Sequence, residues 1–146
     1  MKVLLFAVAF ALFVDGSSAQ TTPRYLVTQD TVPTYINDPG TIGMSILFDQ
    51  VSVGSDVGLS IGTFLPGAVV AEHLHDGAAE LLYVLSGELQ VTIAGTTVNA
   101  GAGSAVYIPP NALHSAQVRS AIEPVKVVQV YSPGGAEQRF KAWRVE

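Results

Sequence analysis

Between Met44 and Tyr131 the apolar residues come in short runs broken by glycine, proline and Asx residues, and no ten-residue stretch there carries a helical stripe. Many short alternating runs with Gly-rich turns fold as an antiparallel sandwich or barrel, so the expected class is all-β. The pattern predicts strands over Met44–Val53, Gly58–Leu65, Val69–His75, Glu80–Leu85, Leu89–Ala94, Thr97–Ala100, Ala105–Ile108 and Val125–Tyr131. A few residues of strand are expected after His114. Ser86-Gly87-Glu88 reads as a hairpin turn, and the apolar run of the last strand reads as buried on both faces.

The ends of the chain read differently. Met1-Lys2, the apolar run Val3 to Val14 and the small residues up to Ala19 form the three-part pattern of an export signal, with cleavage expected after Ala19. The run is too short to span a bilayer. Removing 19 of 146 residues leaves 127, enough for one core without a second domain. We divide the chain into a signal peptide over 1–19, an extended arm over 20–43, a barrel over 44–132 and a tail over 133–146 that leaves the barrel. The arm is expected to turn at Asn37-Asp38-Pro39-Gly40.

Composition narrows the partners. Seven Lys and Arg against twelve Asp and Glu give a net charge of −5, which carries neither a nucleic-acid footprint nor a basic patch for an anionic membrane. A small molecule is the expected ligand. With no cysteine, an exported protein must be held by packing, and no thiol can act as ligand or nucleophile. The outer-face residues Leu81, Tyr83 and Leu85, with the proline-rich arm, point to a homodimer.

Two of only three histidines lie together, at His73 and His75. In a strand residues two apart share a face, so Val69, Ala71, His73 and His75 are expected to point one way and Glu72 the other. Glu80 is a candidate third ligand. His114, fixed behind Pro109-Pro110, can close the set. Imidazoles with a carboxylate suit Fe, Mn, Co, Ni, Cu or Zn and not calcium or magnesium. Leu82 and Val84 share the face of Glu80, and Ala116 and Val118 that of His114, so the surrounding pocket is expected to be apolar. Tyr83, Tyr107, Tyr131 and Trp143 read as packing aromatics.

These residues carry a family resemblance. Gly67, His73, His75, Glu80 and Gly87 reproduce the first cupin motif, glycine-x5-His-x-His-x3,4-Glu-x6-glycine. The second motif, glycine-x5-Pro-x-glycine-x2-His-x3-Asn, is similar to Gly103, Pro109, Asn111, His114 and Val118, with Asn111 in place of glycine and Val118 in place of asparagine. The chain thus resembles small secreted one-domain cupins, among them quercetin-dioxygenase-like monocupins. That resemblance implies a double-stranded β-helix or jelly-roll barrel, with one divalent transition metal ion on His73, His75, Glu80 and His114.

Three functions follow from the resemblance. The first is a dioxygenase acting on a small, largely apolar or aromatic enolic substrate, in which Glu80 also accepts the substrate proton. The second is redox-neutral, an isomerase, cyclase, decarboxylase or lyase with the ion as Lewis acid. The third is a non-catalytic binding or storage cupin. Secreted germin-like cupins share the ligands but are longer and carry an amino-terminal disulfide.

Overall fold

Alternation is the dominant local signal, and the computed structural model, which describes residues 26–146, follows it. The expected leader over 1–19 and residues 20–25 of the arm lie outside the described residues. In chain order the strands are β1 (Thr34–Ile36), β2 (Ile42–Phe48), β3 (Gly58–Phe64), β4 (Val69–His73), β5 (Ala79–Ser86) and β6 (Glu88–Ile93). β7 (Thr96–Gly101), β8 (Ala105–Ile108), β9 (His114–Val118), β10 (Val125–Ser132) and β11 (Arg144–Val145) complete them. One sheet has the order β11-β1-β2-β3-β10-β5-β8, the other β4-β9-β6-β7.

The two sheets face each other as an all-β sandwich and enclose one core, which includes Met44, Phe64, Val84, Leu89 and Val127. Close packing makes each of these side chains matter; truncating Leu89 to alanine removes about 2–5 kcal/mol. β3 alternates buried and half-buried from Gly58 to Phe64, and β10 does the same from Val125 to Tyr131. The last strand is therefore not buried on both faces as expected. Val125, Val127, Gln129 and Tyr131 point inward, whereas Lys126, Val128 and Val130 are half-buried on the outer face, because the second sheet covers one side only.

Other expectations are corrected. The strand predicted through Val53 ends at Phe48, and Gln50–Val53 form a short helix, α1. Asp49 caps it, accepting from the Ser52 N–H while Ser52 returns a bond to the Asp49 N–H, and Gly54 ends it in the left-handed conformation. Ser86-Gly87-Glu88 is not a hairpin turn. β5 pairs with β10 and β8 and β6 pairs with β7 and β9, so Gly87 at φ +76° is a corner where the chain changes sheets.

The ends fold onto the barrel. The predicted turn is present, with Asn37 Oδ1 accepting from the N–H groups of Thr41 and Ile42. β1 then pairs with β2 and with β11. The carboxyl-terminal segment does not leave the barrel. A 3-10 helix, Ala136–Ala142, places Phe140 in the core, and its Gln138 and Lys141 both bond Asp49 Oδ2 at 2.8 Å.

Candidate metal centre

His73 ends β4 directly opposite His114, which begins β9. The pairing slips between Val70 and His73, where Ala71 and Glu72 span the room of Ser115 alone. That extra residue shifts the alternation. Val70 and His73 point inward, Val69 is 62% exposed and Ala71 is exposed, so the expected shared face of Val69, Ala71, His73 and His75 does not form. Glu72 is exposed at the rim of the cavity, outside the cluster, as the sequence indicates.

His75 lies beyond the strand, in the loop before β5. Its position comes from a loop contact and not from the pleat: Asn111 donates its N–H to the His75 carbonyl at 3.0 Å, and Asn111 Oδ1 accepts from the Gly77 N–H at 3.1 Å. Asn111 has φ +62°, the left-handed conformation that a glycine adopts freely and asparagine tolerates. Glu80, on β5, sits between Ile108 of β8 and Tyr131 of β10 and is buried with Leu82 and Val84 on the same face.

One ligand atom from each of His73, His75, Glu80 and His114 falls within 4.8 Å of all the others. His75 Nε2 is 2.8 Å and His114 Nε2 is 3.2 Å from Glu80 Oε2. His73 donates Nδ1–H to the Ala71 carbonyl at 2.9 Å, and His114 donates Nδ1–H to the Ala112 carbonyl at 2.8 Å. Those bonds fix the tautomer and leave both Nε2 lone pairs facing the cluster. Both Nε2 atoms are buried without a hydrogen-bond partner. Buried orphaned acceptors grouped around a carboxylate are unfavourable unless something is bound there, so the residues fit a cation.

The electrostatics agree for His73 and Glu80. Burial pushes the His73 pKa down against the pull of the Ala71 carbonyl, which keeps the ring neutral, as a ligand must be. Burial raises the Glu80 pKa, but the close imidazoles of His114 and His75 and the Gln129 amide outweigh it and hold the carboxyl well below the usual carboxylate range. Burial lowers His114, yet its contact with Glu80 leaves its pKa above the ordinary imidazole value.

Three side chains that the sequence did not assign to the site surround it. Gln129 Nε2 donates to Glu80 Oε1 at 2.5 Å and to the Tyr131 hydroxyl at 2.9 Å. Arg139, from the 3-10 helix, donates Nη2–H to the Tyr131 hydroxyl at 3.0 Å and Nη1–H to His75 Nδ1 at 3.2 Å. Tyr131, read as a packing aromatic, is fully buried with its pKa raised by burial and by the Glu80 charge. The cluster opens into a cavity of about 390 Å³ with walls that include Val70, Leu89, Val91, Phe140 and Trp143. Of the apolar residues expected there, Leu82 and Ala116 line the cavity, whereas Val84 and Val118 belong to the core and not to its walls.

Comparison with known proteins agrees with this architecture. The model of the Cupin domain family matches residues 60–131. The chain belongs to the cupin superfamily. This cupin resembles the solved structure of KdgF from Halomonas sp., at 24% identity and a TM-score of 0.66 over 77% of this chain and 96% of that one. An RmlC-like cupin from Shewanella frigidimarina matches at 19% identity and a TM-score of 0.66, over 78% and 95% of the two chains. A predicted oxalate decarboxylase from Thermotoga maritima matches at 21% identity and 0.65, over 74% and 98%. No curated protein sequence matches this cupin.

Proposed function

We propose that this cupin binds one divalent transition ion through His73, His75, Glu80 and His114 and is an enzyme of the dioxygenase type acting on a small, largely apolar or aromatic enolic molecule. When bound, the ion supplies a positive charge that acidifies a hydroxyl beside it and a centre for oxygen chemistry.

The observation that carries the enolic substrate is the state of Glu80. Its Oε1 is held by Gln129 and its Oε2 by His75, and its pKa lies below the usual range. Such a carboxylate is a weak base, and an ion on His75 Nε2 takes that ring away from Oε2, which leaves the carboxylate able to accept a substrate proton. A weakly basic carboxylate favours a substrate proton that is lost readily next to an ion, as an enolic or phenolic proton is. Val70, Leu89 and Val91 would pack the body of such a molecule and exclude water.

One observation favours the redox-neutral alternative, an isomerase, cyclase, decarboxylase or lyase. The guanidinium of Arg139 borders the same cavity, and a cation there stabilises an enolate without oxygen. Oxygen uptake by the metal-reconstituted protein, with flavonols and other enolic aromatics, separates the two. Uptake coupled to substrate loss supports the dioxygenase; substrate conversion without uptake supports the alternative. Binding with no conversion of any candidate would make this a non-catalytic binding or storage cupin.

Two further proposals come from the sequence. Cleavage after Ala19 predicts an exported protein whose first residue is Gln20, which amino-terminal sequencing checks. The outer face of β5 and β8 exposes Leu81, Tyr83, Leu85 and Tyr107, and we propose that it pairs two copies. A monomer in size-exclusion chromatography with light scattering at micromolar concentration contradicts that.

A further inference from the structure

We propose that Arg139 is the substrate-recognition residue of the cavity and that it selects a molecule bearing a carboxylate on an apolar body; the inference rests on the small-molecule reading of the site and makes its substrate class more specific. Arg139 is the only lysine or arginine among the described residues that line the cavity. Its guanidinium carbon lies 4.9 Å from the Phe140 ring centroid and 5.8 Å from that of Tyr131. A guanidinium held against aromatic rings keeps its N–H donors available to acceptors at its edge.

Among the described residues no carboxylate lies within 4.0 Å of Arg139; the buried carboxylate of Glu80 contacts His75 and His114, and that of Asp49 contacts Lys141. Arg139 instead gives N–H bonds to two uncharged acceptors, the Tyr131 hydroxyl and His75 Nδ1. A guanidinium carries five N–H donors, and a carboxylate matches its fork with two parallel bonds. The second of the present acceptors is also conditional. A cation on His75 Nε2 requires the ring proton on Nδ1, and Nδ1–H no longer accepts from Arg139. The ion-bound site thus leaves Arg139 with donors to give to a ligand.

Charge points the same way. Glu72, Glu80 and Arg139 together bring −1 to the cavity, so a divalent ion makes the site +1 and a monocarboxylate restores neutrality. The apolar walls accept the rest of the molecule. The positioning 3-10 helix is itself anchored by Gln138 and Lys141 on Asp49, which fixes where the guanidinium stands.

The test compares benzoate with benzamide, which have nearly the same shape, on the zinc-loaded protein and on protein held in chelator. Trp143, the one tryptophan and part of the cavity wall, reports occupancy by fluorescence. We expect benzoate to bind roughly tenfold or more tightly than benzamide to the zinc-loaded protein, a difference of the size that charge-assisted bidentate bonds give, and to keep a smaller preference in chelator, where His75 Nδ1 still takes one Arg139 donor. Arg139→Met should remove that preference, benzoate losing clearly more affinity than benzamide. Arg139→Lys, which keeps the charge but not the fork, should retain part of it, and serves if the methionine variant does not fold. Equal affinity for the two probes in the parent protein, or a preference that survives both substitutions, overturns the proposal. A preference that depends on Arg139 in a protein that retains no metal upholds it and refutes only the metal reading.

Discussion

His73 and His114 are cross-strand partners with ring centroids 4.2 Å apart, and each donates Nδ1–H to the carbonyl two residues before it, Ala71 and Ala112. The two rings are thereby set in matching tautomers by backbone alone. A site built this way does not depend on a third side chain to orient either imidazole, which is the role often taken by a carboxylate.

Glu80→Gln tests the carboxylate. The amide fills the same space and can still pair with Gln129, so the barrel should remain folded. Removing the negative charge should weaken metal binding by at least about tenfold, the lower end of what outer contacts alone contribute. Competition titration against a metal indicator reads the change; an unchanged affinity removes Glu80 from the site.

Asn111 should separate backbone shape from loop anchoring. Asn111→Gly keeps the φ of +62° and loses the acceptor for the Gly77 N–H, so stability should move by less than about 1 kcal/mol while metal affinity falls. Asn111→Val forces a branched side chain into the left-handed region and should lose about 1–2 kcal/mol more. Thermal melts and metal titration of the pair distinguish the two effects.

The glycines that bound the first motif are not equivalent. A Cβ at Gly67, φ +77°, meets nothing within 4 Å, whereas a Cβ at Gly87, φ +76°, would stand 2.6 Å from the Pro124 carbonyl oxygen. Gly67→Ala should therefore show only the conformational penalty of about 1–2 kcal/mol, and Gly87→Ala clearly more. Equal loss of melting temperature in the two variants would contradict the sheet-changing corner at Gly87.

Asp49 links stability to acid. Burial raises its pKa, but Lys141, Gln138 and Ser52 outweigh burial and hold it well below the ordinary 3.8. A depressed folded-state pKa stabilises above the unfolded value, and that contribution is lost as pH falls through 3.8 toward the folded value. Asp49→Ala should lower stability by about 2 kcal/mol at neutral pH, through the lost cap and the lost tie to the carboxyl-terminal helix. Below pH 4 the parent and the variant should converge in denaturant titrations.

Much of the barrel and all four residues of the cluster were legible in the sequence, because turn chemistry and period-two alternation are local signals. The errors occur where a non-local fact intervenes. The slip between Val70 and His73 appears only against β9, and the sheet change at Gly87 only once the partners of β5 and β6 are known. Gln129 was readable in principle, as the single polar residue on the inward face of an apolar strand. Arg139 carried no such signal, since a short helix 25 residues past His114 reaches the site solely through its docking on Asp49 and the core contact of Phe140.

The most direct measurement is the metal content of the purified mature protein by elemental mass spectrometry, beside His73→Ala. His73 offers an orphaned Nε2 and is the least buried of the four, so its removal should empty the site and leave the core intact. The account predicts near-stoichiometric iron, manganese, cobalt, nickel, copper or zinc in the parent and its loss in a variant that still melts cooperatively. No metal in the parent even after loading, or equal metal in both proteins, would contradict it.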